Sequence, residues 1–257
     1  MEGILLALTF SIALNLAMFF PAFFLRTDKL TDISYALTFA AIAIFLLYQS
    51  KSIANKYLIA LLIFLWAARL GAYLLIRITK IKKDERFDKF RHKFFSFMGF
   101  WLLQGITSFI ILIPSVFYFQ SNTSKIYLVG VLVWLAGICI ESAADYQKFR
   151  FILDKNNKNK WIESGLWHYS RHPNYFGEIL CWLGIWLAVL PSLTPWQRII
   201  SAISPIFISV MLIFVSGIPL LEKKADERWG HDHRYENYKK RTSILILWPV
   251  KEKKQDK

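Results

Sequence analysis

The chain has 257 residues, of which 55% are hydrophobic and 17% aromatic, and it carries a formal net charge of +14. Its apolar residues come in blocks of about twenty, the length of a helix that crosses a bilayer, which excludes a single soluble core under a polar surface. Such a charge suggests nucleic acid in a soluble protein; in a membrane protein its first explanation is the excess of Lys and Arg in cytoplasmic loops, and no nucleic-acid partner is expected.

The pattern predicts an all-α integral membrane bundle of about seven helices, with spans near 3–25, 31–49, 57–78, 94–119, 126–144, 175–191 and 197–220. With the N-terminus outside and the C-terminus cytoplasmic, 26 Lys and Arg fall on the inner side and 4 on the outer, while Arg69 and Arg77 lie within the third span. That asymmetry sets the expected orientation. The first block is read as a span, because Glu2 stands where a signal peptide needs a basic region and no cleavage pattern follows. Residues 1–250 are expected to form one transmembrane domain with a cytoplasmic pocket, and 251–257 (KEKKQDK) a basic, solvated tail. Cys139 and Cys181 lie in spans and offer neither a disulfide framework nor metal-ligand spacing.

Polar residues inside the spans need an explanation, because each costs several kcal/mol in lipid (roughly 3 on insertion scales). In the third span, Trp66, Arg69, Tyr73 and Arg77 share one helix face. Arg77 is near enough to the boundary to snorkel, whereas Arg69 lies about two turns deeper. Arg69 either pairs with a carboxylate or belongs to an anion-binding face. In the fourth span, Trp101, Gln104 and Ser108 recur at helical spacing, and a buried Gln is more often interhelical glue than a catalyst. The fifth ends IESAADYQKFR, where Glu141 and Asp145 are one turn apart with Lys148 on the same side. These acids serve either as partners of the third-span arginines or as ligand-binding groups.

The stretch GLWHYSRHPNYFGEILCWLGIWL (165–187) turns from polar to apolar at Pro173, a residue suited to the first turn of a helix. Asn174, Glu178 and Trp182 then share a face. A helix N-terminus preceded by Arg171 and His172 suits an anion, so this turn reads as the rim of a pocket into which Glu178 projects. His168 and His172 precede the helix, and with five His in the chain no metal site is expected. The segment EKKADERWGHDHRYENYKKRTSILILWP interleaves His231, Tyr235 and Tyr238 with Arg234, Lys239, Lys240 and Arg241. It reads either as an interfacial helix on anionic lipid or as a lid over a phosphate-bearing cofactor.

The stretches RLGAYLLIRI (69–78), KKDERF (82–87), ESAADYQKFRF (141–151), GLWHYSRHPNYFGE (165–178) and YENYKKRTSILILWP (235–249) resemble the steroid 5α-reductase superfamily, and most closely its bacterial members of about this length. The resemblance implies a protein of the bacterial inner membrane that uses NADPH to reduce a carbon–carbon double bond in a lipid-like substrate (a steroid, sterol or enone). No protein partner is inferred beyond the membrane lipids. By resemblance, Asn174 and Glu178 hold the nicotinamide end, with His172 and Tyr175 beside them. Asp145 binds the polar part of the cofactor, and Arg77, Arg86, Lys148, Arg150 and Arg171 are candidates for its phosphates. His231, Tyr235 and Tyr238 belong to the closing segment.

Hydride transfer to an enone builds negative charge on the carbonyl oxygen, which a positioned donor must meet in a dry pocket. Trp66 stands where the family carries a Tyr, and Tyr73 is the nearest phenol on that face, so Glu178, Tyr73 and Arg69 are the catalytic candidates. No G-x-G-x-x-G is present, so a Rossmann cofactor domain is not expected. Isoprenylcysteine carboxyl methyltransferases are also similar, sharing the RHP-x-Y turn and a tail like Glu222…Trp229-Gly230…Tyr235-x-x-Tyr238. They imply S-adenosylmethionine instead. The Glu in NYFGE, the acid-rich fifth helix and the many inward basic residues favour the reductase, and a non-catalytic lipid-binding protein ranks third.

Overall fold

Long apolar segments adopt helices in a bilayer because only a helix bonds every backbone N–H and C=O within its own segment. The structure, a computed structural model, describes residues 2–27, 29–50, 54–80 and 93–250. Six helical stretches are long and apolar enough to cross a membrane: Glu2–Phe24, Asn55–Ile76, Phe94–Gln120, Leu128–Leu153, Pro173–Ser192 and Pro195–Trp229; Ile33–Gln49 is a shorter apolar helix. The all-α architecture read from the sequence is borne out, and the chain is built as a multi-pass membrane protein.

The helices are α1 (Glu2–Phe24), α2 (Lys29–Gln49), α3 (Ala54–Lys80), α4 (Phe94–Gln120), α5 (Leu128–Leu153), α6 (Leu166–Tyr169), α7 (Pro173–Val189), α8 (Pro195–Ser201), α9 (Ile203–Val210), α10 (Ile218–Trp229) and α11 (His233–Arg241). Two of them depart from the hydropathy reading. The fifth helix runs to Leu153, well beyond the expected end at 144, because helical hydrogen bonding does not stop where the apolar run does. The last span is not one rod. Thr194 and Gln197 close a capping box that starts α8, and a π turn at Met211–Val215 precedes Gly217 and a new helix with Pro in its first turn.

Two compact units make up the fold, one from residues 1–130 and 185–204, the other from 131–184 and 205–257. In the first, α1 packs on α4 and α2, and α2 on α3 and α4. A Cβ on Gly105 would come within 3.3 Å of the Ser11 carbonyl oxygen, so its absence lets α4 approach α1. Around that contact Gln104 Nε2 donates to Asn15 Oδ1 (3.0 Å) and to Ser34 Oγ (2.9 Å). Asn15 Nδ2 in turn donates to Thr38 Oγ1 (3.1 Å) and to the Ser11 carbonyl (2.8 Å). Gln104 therefore ties three helices together. Lys56 is 1% exposed, and its Nζ donates to the carbonyls of Phe119 and Ser121 at 2.9 and 2.8 Å. It closes the C-terminal end of α4, where carbonyls lack helical partners and a cation is favoured.

In the second unit, α5 and α7 meet backbone to backbone. A Cβ on Gly177 would lie 2.6 Å from the Glu141 nitrogen, and one on Gly137 would lie 2.7 Å from the Gly177 oxygen. Only glycine allows this approach. It sets Glu141 and Asp145, both buried, in the packed part of α5.

Candidate functional site

The polar turn before α7 is held from both sides. Trp167 is buried and its indole N–H donates to the Ala144 carbonyl at 3.0 Å, fixing α6 on α5. Ser170 is extended and pairs with Ser243 as an isolated parallel bridge. Arg171 N donates to the Ser243 carbonyl at 2.8 Å, and Ser170 Oγ to that of Leu245 at 2.7 Å. His172 O accepts from Phe176 N at 3.2 Å. The helix thus begins at Pro173, whose missing N–H leaves nothing unpaired. Arg171 and His172 are presented at its mouth.

A carboxylate from far along the chain meets them. Glu222 of α10 accepts from Arg171 Nη1 through Oε2 and from His172 Nε2 through Oε1 at 2.9 Å. Lys239 Nζ is 3.4 Å from Oε2. His172 is 5% exposed. Burial pushes its imidazole below the ordinary value, outweighing the opposite pull of Glu222. The neutral ring therefore carries its proton on Nε2, donates it to Glu222, and keeps a lone pair on Nδ1. That Nδ1, Arg171 Nε and Trp161 Nε1 are buried and make no hydrogen bond.

These three residues line one cavity of about 350 Å³, at the lower end of small-molecule sites (~300–1,000 Å³). Among the described residues, Lys148, Lys160, Arg171, Lys224 and Arg228 line it against the single carboxylate of Glu222. Its aromatic wall is Trp161, Trp167, Trp229, Tyr235 and Tyr238. Trp161 meets Tyr235 edge-on at 5.3 Å between centroids, and Lys148 Nζ lies 4.6 Å from the Trp167 ring centre. Tyr238 donates its hydroxyl proton to the Trp167 carbonyl at 2.8 Å. Burial raises the phenols of Tyr235 and Tyr238 above their ordinary range, so both stay protonated.

Of the residues singled out from the sequence, the structure gathers Lys148, Arg171, His172, Tyr235 and Tyr238 around this cavity. Asn174, Tyr175 and Glu178 sit on the first turns of α7 without lining it, and the Tyr175 ring stacks on His172 at 5.7 Å and 10°. Asp145 is buried on α5 and also outside the lining. Arg150 edges a separate surface groove beside Asp154, its Nη1 3.5 Å from the Tyr146 hydroxyl. His231 is exposed in the turn between α10 and α11. Arg69 and Tyr73 belong to the first unit, with the guanidinium 5.8 Å from the Tyr73 ring centre. Arg77 lies in α3, but its side chain, like Arg86 and the tail 251–257, falls outside the described residues.

Sequence reasoning missed Trp161, Lys160, Lys224, Arg228 and the central place of Glu222. The α10 members recur at 221–222, 224–225 and 228–229, a helical face that periodicity could have revealed. Trp161 lies in a loop with no such pattern.

Comparison with known proteins agrees with the motifs. The chain is 28% identical over 126 residues to the rat (Rattus norvegicus) protein 3-oxo-5-alpha-steroid 4-dehydrogenase 1, a match covering 48% of this chain and 42% of the rat protein. The chain thus spans less than half the length of that curated relative. No solved structure matches. Residues 18–242 match one family along most of the chain. The likeness to steroid 5α-reductases read from the motifs is borne out, and the chain belongs to the family described as "Protein of unknown function (DUF1295)".

Proposed function

We propose that this protein is a membrane-embedded reductase that binds NADPH in the cationic cavity and reduces a carbon–carbon double bond of a lipid-like, steroid-related substrate. The observation that carries the reading is the lining itself. Five cationic side chains face one carboxylate across about 350 Å³, and two buried donors and one buried acceptor there have no hydrogen bond. A phosphate-bearing nucleotide supplies what they lack. Its phosphate oxygens would accept from Arg171 Nε and Trp161 Nε1, and from His172 Nδ1 once the imidazole takes up a proton there. The aromatic wall offers faces on which a planar base stacks. S-adenosylmethionine, a sulfonium cation without phosphate, fits this charge balance poorly. The likeness to a named steroid dehydrogenase supports the reaction class.

In this reading Lys148, Arg171 and Arg228 neutralise phosphate charge. Glu222 orients Arg171 and His172, and Tyr238 ties the closing helix to Trp167. Asp145, Asn174, Tyr175 and Glu178 on α5 and α7 hold the polar parts nearer the nicotinamide. Bound NADPH supplies hydride to one carbon of the double bond, and a proton must reach the other. Glu178 is the catalytic residue proposed in the second unit, and Tyr73 and Arg69 are those proposed on α3 of the first unit. The orientation proposed is N-terminus outside and C-terminus cytoplasmic, where the nucleotide is found.

Equilibrium dialysis of the detergent-purified full chain against NADPH, NADH and S-adenosylmethionine tests the reading. Charged hydrogen bonds contribute ~1.5–3 kcal/mol, so NADPH should bind about ten- to a hundredfold more tightly than NADH. Arg171→Ala should weaken NADPH strongly and narrow that gap. Equal affinity for the two nucleotides, or binding of S-adenosylmethionine alone, refutes the proposal.

A further inference from the structure

After α11 the chain does not leave the protein. Residues 243–250 (SILILWPV) carry no charge and run, through bends at 244–246, along the turn that precedes α7. Main-chain and hydroxyl bonds fix them there. Arg171 N reaches the Ser243 carbonyl at 2.8 Å, Ser170 Oγ reaches Leu245 O at 2.7 Å, and Trp248 N reaches Tyr169 O at 3.4 Å. Exposure then alternates from one residue to the next. Ile244, Ile246 and Trp248 are 45%, 54% and 65% exposed, while Ser243, Leu245 and Leu247 are less so. One edge of the strap is bonded to the protein, and the other is an unbroken apolar row open to the surroundings.

The depth of that row is set by its partners. It is bonded to residues 169–171, and the apolar span Pro173–Ser192 begins two residues later. The row therefore sits at the level where a membrane-crossing helix enters the bilayer. Tyr169, 46% exposed, stands beside it. Tyr and Trp collect at this depth because one end of each ring system is apolar and the other polar. The flanking charge has the matching sign. Lys240 is exposed and Arg241, paired to Glu163 at 3.0 Å, remains 42% exposed. The sequence beyond Val250 adds four Lys against one Glu and one Asp.

We propose that residues 243–250 form an interfacial anchor that lays Ile244, Ile246 and Trp248 into the headgroup–acyl boundary of an anionic phospholipid bilayer, with Lys240 and Arg241 on the lipid headgroups. Segments of this kind sit about 5–10 Å into that boundary. The anchor stands whether or not the chain is a reductase, since it rests on the bonds and exposure of the strap alone.

The test uses the full chain with Cys139→Ala and Cys181→Ala, carrying a single environment-sensitive dye on Ile246→Cys or, as a water-exposed control, on Lys158→Cys. Both are reconstituted in discs of phosphatidylcholine with and without phosphatidylglycerol. Dye at 246 should be quenched severalfold more by spin-labelled acyl chains than dye at 158, and severalfold less by aqueous iodide. Lys240→Glu should reduce the acyl-chain quenching at 246 in the anionic discs and leave it unchanged in the neutral ones. Equal iodide quenching at both positions overturns the anchor. So does protection at 246 from both quenchers with oxidative cross-linking between two copies of Ile246→Cys, which assigns the row to a second copy of the chain.

Discussion

Each unit buries a polar cluster, and the two clusters differ in kind. In the first unit, Ser11, Asn15, Ser34, Thr38 and Gln104 are neutral amides and hydroxyls that bond to one another or to helix carbonyls. In the second, Arg171, His172, Glu222 and Lys239 form a charged cluster beside a cavity, and three buried polar atoms there have no bond. A closed neutral network specifies which helices pack together. A charged cluster with bonding capacity left over is costly unless something completes it. A polar residue in an apolar helix is therefore not itself a sign of a site; spare capacity next to open space is.

The largest expected effect comes from opening the charged cluster. Glu222→Ala leaves Arg171 and the buried His172 without their shared carboxylate, and breaking such a pair costs roughly 3–5 kcal/mol. We expect a marked drop in thermal stability together with loss of nucleotide binding. Glu222→Gln keeps the shape and one acceptor and should fall between the two. If Glu222→Ala lowers stability but leaves NADPH affinity intact, the cluster is a packing device like the one in the first unit.

Next comes the helix contact that supports the cluster. Gly177→Ala places a methyl 2.6 Å from the Glu141 nitrogen, so α5 and α7 must separate at a cost of about 1–3 kcal/mol. Gln104→Leu strands the amide and hydroxyl partners of the first unit for a comparable ~1–3 kcal/mol. The two should part company in function. Gly177→Ala should weaken NADPH, because α5 carries Lys148 and α7 begins at the Arg171–His172 turn. Gln104→Leu should lower the melting temperature and leave nucleotide affinity unchanged. Equal losses of affinity in the two variants would erase the distinction drawn between the units.

The apolar helices, the start of α7 at Pro173 and the gluing role of Gln104 were legible because each depends on local pattern: run length, a proline's fixed φ, helical spacing. What stayed hidden depends on distance along the chain or on direction around a helix. Glu222 is about fifty residues from its partners Arg171 and His172, and nothing in composition links them. Lys148 and Arg150 both looked like phosphate ligands, yet two residues turn a helix by ~200°, so Lys148 faces the cavity and Arg150 a different groove. Lys56 counted as one of the few outer-side cations, whereas its ammonium is buried on the carbonyls that end α4.

The smallest effect is also the most selective, because the neutral network of the first unit has no titratable member and the cluster has His172. Burial holds that imidazole below its ordinary 6.5, while Glu222 raises it and Lys148 and Arg171 lower it further. Below about pH 6.5 the unfolded chain takes up a proton that the folded chain declines. Folding stability should therefore be level above that pH and fall as the pH drops toward the depressed folded value. The slope contributed is at most about 1.4 kcal/mol per pH unit. His172→Gln, whose amide can still donate to Glu222, should remove this part of the slope, and Gln104→Leu should not alter it. A phosphate anion in the cavity favours the charged imidazole, so saturating NADPH should flatten the same slope in the unmutated protein. Melting curves between pH 5 and 8, with and without nucleotide, read both effects. A slope that persists in His172→Gln places the titration elsewhere, and a slope that nucleotide leaves untouched takes the phosphate away from His172.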